Sequence, residues 1–186
     1  MQTEATKKLF TVDEYYRIAE TGILSEDVRT ELINGEIIEM SPMGPRHAAG
    51  VSRVTELMMT LFRGKALLRG QLPVRLNDYN EPLPDFAFVK VRHDHYARRH
   101  PGPGDTLLAV EISDTSLHYD RDVKAAVYAA VRIPEFWIVD LAVVVLLVFR
   151  DPSKGAYQTS LTFNRGHSVT PLSFPEVSIQ VSELLG

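Results

Sequence analysis

The sequence lacks cysteine altogether, and this absence excludes two kinds of structural support. Without thiols the chain forms no disulfides, and it offers no thiolate ligands to zinc or to iron–sulfur clusters. Long hydrophobic runs are also absent, since the longest apolar candidate, residues 141–149, is about half of the ~18 residues that a membrane-spanning helix needs. Residues 1–10 mix acidic and basic side chains and contain no signal-peptide core. We therefore expect a cytoplasmic protein with no membrane partner.

The sequence also has no excess of positive charge. The 20 lysines and arginines are outnumbered by 24 acidic residues, which gives a net charge of −4 and argues against nonspecific nucleic-acid binding driven by global charge. A local basic face remains compatible with this balance. Residues 90–100 read KVRHDHYARRH, and they are either a solvated surface loop or a phosphate-contacting patch formed by Arg92, Arg98 and Arg99.

The 186 residues are 45% hydrophobic and 24% charged, which is typical of a soluble globular domain. Without repeats or a linker, residues 1–186 are predicted to form one mixed α/β domain. The capping box at Thr11–Glu14 and the Asn34-Gly35 turn predict a first helix and a hairpin. Further helices are predicted at 45–63, at 120–131 with Asp120 as the N-cap, and at 181–185, and further strands at 66–69, 71–76, 86–91, 106–113, 136–140, 143–150 and 157–163.

Two carboxylates lie in apolar runs that read as buried strands. Asp85 follows Pro84 and precedes Phe-Ala-Phe-Val, and Glu111 interrupts the run at residues 107–112. A carboxylate in such a position is costly unless something compensates it. The intervening chain is long enough for one strand, a loop and a return strand, so the two side chains meet on one face if the register permits. The alternative for each is a structural role, as a turn residue or a buried salt-bridge partner.

Two carboxylates close together repel, unless a cation joins them or one of them is protonated. Oxygen ligands favour Mg²⁺ or Mn²⁺ over zinc. Such an ion retains several of its waters, so two carboxylates and a substrate phosphate complete its coordination. Lys124, on the predicted helix after the Glu111 strand, would position or deprotonate an attacking water or neutralise a phosphate. This combination points to phosphodiester hydrolysis.

Four further residues are candidates for the same site. Glu31 begins a strand and would add a metal carboxylate, or else pair with a lysine at the surface. His47 lies near a helix start, where it reaches a phosphate or serves as a cap. Gln71 would orient a water or bond the backbone. Tyr128 lies four residues after Lys124 on the same helix face, a spacing that favours a packing role.

Several motifs together resemble the Uma-type putative restriction endonucleases. They are found between Thr11 and about Arg150, which is most of the chain. They comprise Glu31-Leu32-Ile33-Asn34-Gly35-Glu36, Ser41-Pro42 through His47, Pro84-Asp85, residues 94–105, Val110-Glu111-Ile112-Ser113-Asp114-Thr115-Ser116-Leu117, Tyr119-Asp120-Arg121-Asp122-Val123-Lys124, Tyr128 and residues 133–141.

The resemblance implies the PD-(D/E)XK nuclease superfamily, with a restriction-endonuclease-like fold in which helices flank a central mixed β-sheet. It implies Asp85 and Glu111 as metal ligands. The usual lysine two positions after the glutamate is replaced by Ser113, and Lys124 matches the position of a lysine displaced onto the following helix. Arg132 stands where the family usually has glycine, and Phe136 replaces a frequent tyrosine.

These observations predict a Mg²⁺- or Mn²⁺-dependent endonuclease acting on DNA. Arg92, Arg98 and Arg99 then become candidate DNA contacts. The alternative is a catalytically inactive nuclease-fold module that binds nucleic acid or another protein. A homodimer is also expected, and the apolar runs at 136–139 and 143–148 would supply its seam unless they are buried strands.

Overall fold

A six-stranded mixed sheet forms the centre of the computed structural model, which describes residues 6–25 and 27–186. The strand order is β3-β4-β5-β6-β7-β8, and only the β5–β6 pair is parallel. The strands are β1 (Thr30–Ile33), β2 (Glu36–Glu39), β3 (Leu67–Gly70), β4 (Phe86–Val89), β5 (Thr106–Ser113), β6 (Glu135–Asp140), β7 (Val145–Ser153), β8 (Ala156–Phe163), β9 (Ser168–Val169) and β10 (Ile179–Gln180). The helices are α1 (Val12–Glu20), α2 (Pro45–Leu61), α3 (Leu117–Tyr119), a π-helical turn (Asp120–Lys124), α4 (Ala125–Ala130) and α5 (Val181–Leu185).

The two strongest local signals in the sequence both fold as predicted. At the start of α1 the Thr11 hydroxyl accepts a hydrogen bond from the Glu14 amide, and the Glu14 carboxylate accepts one from the Thr11 amide. The β1–β2 hairpin turns at Asn34 and Gly35, whose φ angles are 52° and 76°. Positive φ at both positions matches the right-handed twist of the flanking strands, which explains the Asn-Gly pair.

Apolar side chains cover both faces of the central sheet. On one face, Phe88, Val110 and Trp137 pack against α2 and α5. On the other face, Ala109 and Phe136 pack with Tyr128 of α4. The alternation of side chains along a strand assigns successive residues to opposite faces, so Glu111 shares the second face with Ala109.

The stretch Gln71–Leu76, predicted as a strand, is irregular in the structure, and that prediction is wrong. Its backbone bonds go to scattered partners: the amides of Gln71, Val74, Arg75 and Leu76 donate to Asp85, Pro82, Pro101 and Asn80, respectively. Proline has no amide proton to donate, and Pro73, Pro82 and Pro84 in and opposite this stretch prevent a continuous ladder.

The helix that carries Lys124 also begins earlier than predicted. It starts at Leu117 rather than at Asp120, so Asp120 is a buried residue inside the helical segment and not its N-cap. A five-residue π-turn follows, in which the Ala125 amide bonds the Asp120 carbonyl. Such turns occur mostly as single insertions in α-helices, often at functional sites.

The apolar runs proposed as a dimer seam lie inside the sheet. Residues 136–139 are fully buried in β6, which pairs with β5 on one side and β7 on the other. β7 is in turn covered at its other edge by β8. The buried-strand alternative therefore accounts for residues 136–139 and for the part of the second run that lies in β7, whereas Val143 precedes β7 and is exposed. Within the described residues, the helices are all too short or too polar to cross a bilayer.

Candidate active site

Most of the predicted site residues line one cavity of about 320 Å³ at an end of the sheet. Its wall is formed by the β1–β2 hairpin, the start of α2, the chain after β3, the end of β5 and the helical segment after it. The predicted residues in this wall are Glu31, His47, Gln71, Asp85, Glu111 and Lys124.

The pairing of β4 with β5 brings Asp85 and Glu111 together. Phe86 lies opposite Val110 in this antiparallel pair, so the preceding residue on β4 and the following one on β5 are neighbours. The Asp85 amide donates to Glu111 Oε2 at 3.2 Å, and the Ile112 amide donates to Asp85 Oδ2 at 2.8 Å. Both carboxylates are buried, at 6% and 3% exposure. The predicted register is therefore present.

The free side of Asp85 contacts two side chains from other elements. Its Oδ1 lies 3.2 Å from His47 Nε2 on the first turn of α2 and 3.2 Å from Gln71 Nε2. Burial raises the pKa of Asp85, but the bonds from His47, the Ile112 amide and Gln71 outweigh burial and lower it below 3.8. The Asp85 bond in turn raises the pKa of His47 against the effect of its partial burial. Both shifts favour the ionised Asp85 carboxylate paired with protonated His47.

Lys124 lies among carboxylates and has almost no contact with solvent. Its Nζ is 3.1 Å from Glu111 Oε1 and 3.3 Å from Glu31 Oε2, and the residue is 3% exposed. Burial alone lowers the pKa of Lys124, but Glu111, Glu31 and Asp120 outweigh it, so the pKa is raised and the ammonium form is favoured. The structure therefore holds a fixed positive charge on the cavity wall.

Asp120 is a fourth carboxylate of the cavity, at 3% exposure. Its Oδ2 accepts a 2.6 Å bond from Ser116, while burial raises its pKa despite the opposing effect of Lys124. Asp120 and Lys124 are four residues apart in this helical segment, and both face the cavity.

The cluster holds more negative than positive charge. The four buried carboxylates Glu31, Asp85, Glu111 and Asp120 face one buried lysine and the half-buried His47, so even full protonation of His47 leaves two of them without a cation. Arg29, Glu39 and Asp114 also line the cavity, but they are more exposed to solvent. In this setting burial raises the pKa of Glu111 well above 4.5, and the neighbouring carboxylates add to the rise although Lys124 opposes it. A raised carboxyl pKa means that the cluster favours an additional cation, which here is a proton.

A hard divalent cation would supply the missing positive charge, and the carboxylates of the cluster are ligands that such a cation prefers. Mg²⁺ is commonly held by one or two carboxylates together with waters and substrate phosphates, and Asp85 and Glu111 supply that pair. Within residues 6–25 and 27–186, however, no group of three or more histidine, aspartate or glutamate side chains is arranged around a single ion position. The fit is thus to a two-carboxylate site completed by solvent and substrate, and not to a closed protein cage.

The remaining predicted residues divide into those at the site and those away from it. Glu31 contacts Lys124 and accepts a 3.0 Å bond from the Leu83 amide, so it holds the lysine in this structure. The Tyr128 hydroxyl donates to Glu111 Oε1 at 3.3 Å and contacts the glutamate rather than the lysine. Burial raises the pKa of Tyr128 well above 10.0, so its hydroxyl keeps the proton that it donates.

The predicted DNA-contacting arginines do not line the cavity. Arg92 forms a bidentate pair with Asp94, and Arg99 pairs with Asp105. Arg98 is exposed. The structure brings Arg92 and Arg99 together on the ring of Tyr96, with their guanidinium carbons 5.1 and 5.6 Å from its centre.

Asp120 and Tyr119 are among the cavity residues that the sequence did not identify as site candidates. Asp120 was interpreted as a helix cap, although its spacing of four from Lys124 was a signal that both lie on one helix face. Tyr119 lines the cavity, and its ring centre is 5.9 Å from Lys124 Nζ. The Tyr119 hydroxyl is buried without a hydrogen-bond partner among the described residues, and no feature of the sequence indicated this.

Comparison with known proteins identifies a family and solved structures of similar fold. Residues 12–182 match the model of the family Uma2, described as putative restriction endonuclease. The structure is similar to the crystal structure of a putative nuclease belonging to DUF820 from Anabaena variabilis ATCC 29413, with a TM-score of 0.71 and 16% sequence identity. That similarity covers 95% of this chain and 97% of the other, and at this identity it shows the shared fold. No curated protein matches the sequence.

Proposed function

Because the chain belongs to the Uma2 family of putative restriction endonucleases, we propose that it is a metal-dependent endonuclease that hydrolyses DNA phosphodiester bonds in the cavity. One observation carries the proposal: four of the carboxylates that line the cavity are buried, and they share a single buried lysine. A structural salt bridge needs no such excess of negative charge. A site for a divalent cation and a phosphate does.

Asp85 and Glu111 would hold the metal, Mg²⁺ or Mn²⁺. When bound, the ion would stabilise the negative charge that develops on the phosphate and lower the pKa of a bound water. Hydrogen bonds from the Ile112 amide and Gln71 orient Asp85, while the Tyr128 hydroxyl and the Asp85 amide orient Glu111. Fixed donors of this kind are what keep metal-binding carboxylates in place.

Lys124 acts in this proposal as a permanent cation rather than as a base. Its raised pKa keeps the ammonium protonated, so it cannot take a proton from water at neutral pH. Held by Glu111 and Glu31, the ammonium would neutralise the scissile phosphate and orient the attacking water. Of the three roles considered for this lysine, deprotonation of the water is the one that its surroundings disfavour.

Plasmid cleavage tests the proposal directly. Supercoiled DNA is incubated with the parent protein in Mg²⁺ or Mn²⁺, with EDTA as the metal-free control, and nicked and linear products are separated on a gel. We expect cleavage by the parent only with a divalent ion, and loss of it in Asp85→Asn, Glu111→Gln and Lys124→Met. Asp122→Asn is the matched control, because it removes an exposed carboxylate from the same helical segment without touching the cavity. Equal cleavage by Glu111→Gln and the parent would show that the activity lies elsewhere.

A second candidate is a catalytically inactive module that keeps the fold for binding. It is favoured by the internal cations, since His47 contacts Asp85 Oδ1 and Lys124 contacts Glu111 Oε1, where a metal would bind. Calorimetric titration with Mg²⁺ and Mn²⁺ separates the two functions. The enzyme requires binding that Glu111→Gln weakens, whereas the inactive module gives no heat of binding. The homodimer and the cytoplasmic location stay predictions.

A further inference from the structure

A second charged cluster lies outside the cavity and has the opposite sign. Three arginines surround the buried ring of Tyr96, with guanidinium carbons 5.9, 5.1 and 5.6 Å from its centre. They come from β3 and from the loop between β4 and β5. We call Arg69, Arg92 and Arg99 around Tyr96 the arginine cluster.

The arginine cluster is only partly neutralised by the protein. Asp94 pairs with Arg92 and Asp105 with Arg99, but the Nε of Arg69 is buried without a hydrogen-bond partner among the described residues. Burial accordingly lowers the pKa of Arg69 below its ordinary value. Arginine nevertheless stays charged in proteins, so this side chain carries an uncompensated cation.

The neighbouring loop adds to the positive charge. Lys90 and Arg98 are exposed on it, and neither forms an ion pair with a residue that the structure describes. Five cations therefore face two carboxylates in this region, in a protein whose net charge is −4. Such a local excess of positive charge marks a surface that attracts a polyanion.

The pairing of β3 with β4 places the arginine cluster beside the cavity. Arg69 lies opposite Ala87, which is two residues after Asp85 and therefore on the same sheet face. Gln71, two residues after Arg69, contacts Asp85 and lines the cavity. Alternate residues of a strand are about 7 Å apart, a distance that neighbouring phosphates of one nucleic-acid strand span.

The ion pairs of the arginine cluster leave donors free for a ligand. A guanidinium carries five N–H groups, and the pairs of Arg92 with Asp94 and Arg99 with Asp105 use only part of them. Both arginines are part-exposed, at 38% and 48% of their side chains. Exposed pairs contribute little to stability, so they yield readily to a phosphate.

We propose that the arginine cluster, extended by Arg98, binds the DNA backbone next to the cavity and holds the phosphate that neighbours the scissile one. This inference rests on the proposed function and deepens it by naming the surface that positions the substrate. Tyr96 packs under the guanidinium groups and keeps them together. The contacts are to phosphates, so they contribute affinity and register without base specificity.

Fluorescence anisotropy with a short labelled DNA duplex tests the inference. Binding is measured over a series of salt concentrations in Ca²⁺, and gels confirm that the duplex stays intact. We expect Arg69→Gln and Arg98→Gln each to weaken binding by about tenfold or less, equally for unrelated sequences, and to reduce the slope of log affinity against log salt by about one. Arg98→Gln guards against a folding artefact, because the Arg98 side chain is exposed.

Arg63→Gln is the matched control, since it removes one exposed arginine at the end of α2 and should leave the slope unchanged. Unchanged affinity and slope in both cluster variants, in a protein that cleaves DNA, would overturn the inference and leave the proposed function standing. A parent protein that neither binds nor cleaves DNA in Mg²⁺ or Mn²⁺ would overturn both. A loss in Arg63→Gln as large as in Arg69→Gln would show that net charge alone matters, and would also overturn the inference.

Discussion

Glu111 and Glu135 are buried carboxylates on the neighbouring strands β5 and β6, and they differ in what surrounds them. Glu135 is fully buried and accepts bonds from the Trp137 indole, from Arg150 Nε and from the Leu172 amide, at 2.9, 2.8 and 2.7 Å. Its single charge faces a single arginine. Glu111 also accepts three bonds, but other carboxylates and a cavity lie beside it.

The difference separates a structural carboxylate from the one that we propose to be functional. The donors around Glu135 satisfy its oxygens and balance its charge, so nothing further is needed there. The cluster around Glu111 is hydrogen-bonded yet unbalanced in charge, and that imbalance is useful only if another cation or a phosphate-bound metal enters. Burial and hydrogen bonding are common to both sites. The local charge balance distinguishes them.

The largest effect that this comparison predicts is the loss of stability when Glu135 is replaced. Glu135→Ala leaves the part-buried Arg150 without its partner and removes three bonds, so we expect the free energy of unfolding to fall by about 3–5 kcal/mol. Urea denaturation at neutral pH measures the change. Glu176→Ala, which breaks the exposed pair with Lys65, is the matched control and should cost less than about 1 kcal/mol. A similarly small loss for Glu135→Ala would remove the basis for calling it structural.

Next in size is the effect of Glu111→Gln on activity. We expect cleavage to slow by about 100-fold or more, because the proposed metal site loses one of its two carboxylate ligands and holds the stabilising cation less well. Stability should change by only about 1 kcal/mol, since Lys124 retains Glu31 and the removed charge relieves repulsion among the carboxylates. Initial rates and urea denaturation are measured on the same preparation. A loss of several kcal/mol of stability would make Glu111 resemble Glu135 and break the comparison.

A smaller effect is expected in the pH dependence of stability. Asp85 has a lowered pKa, so its contribution is present above 3.8 and is lost as the pH falls through the lower folded value. His47 has a raised pKa, so its contribution is present below 6.5 and is lost as the pH rises through the higher folded value. In EDTA, His47→Gln should therefore lower the melting temperature most between these two values.

Thermal unfolding across the pH range checks this expectation, with His93→Gln as the exposed control. The difference between His47→Gln and the parent should fade at alkaline pH, where the imidazole is neutral in both the folded and unfolded states. A difference that grows with pH instead would contradict the pairing of an imidazolium with Asp85. The result would sharpen the contrast with Glu135, whose partner is an arginine and not a histidine.

The smallest predicted change is in the stability of a variant at Arg132, which lies away from both carboxylates. It serves as a reference for the larger changes. Arg132 has a φ of 62° and follows the end of α4, where its amide bonds Ala129 and the Ile133 amide bonds Tyr128. This is the Schellman arrangement, in which glycine is the usual left-handed residue. Arg132→Gly should raise the free energy of unfolding by about 1 kcal/mol, or about 2–4 °C in melting temperature, without changing activity. If Arg132→Gly were less stable than the parent, the Arg132 side chain would make a contact that stabilises the fold by more than the strain of its positive φ costs.

Much of the site could be predicted because strand patterns carry most of the information. A carboxylate that interrupts an apolar run identified both Asp85 and Glu111, and the pairing of adjacent strands brought them together. The helical pattern after β5 predicted Lys124 on the following helix, and the family resemblance matched it to a displaced lysine. The family and the mixed sheet flanked by helices were both predicted correctly.

The errors arise where tertiary structure overrides local pattern. Asp120 was predicted as an N-cap, but the helical segment begins at Leu117, so Asp120 lies inside it and faces the cavity. The strand predicted at 71–76 failed because prolines remove ladder donors opposite it as well as within it. Arg69 lies in an ordinary strand, and its part in the arginine cluster depends on a loop that folds back over it from more than twenty residues later.

The π-turn also bears on how this chain tolerates insertions and deletions. Removing one residue between Asp120 and Lys124 would let an ordinary α-helix continue, and everything on one side of the deletion would rotate by about 100° relative to the other. Because α4 is anchored by buried Tyr128, the segment before it would absorb that rotation and carry Asp120 away from the cavity. The number of residues between Asp120 and Lys124 is thus as important to the cavity as the residue types themselves. In homologues with a shorter segment here, we expect a different residue to supply the carboxylate of Asp120.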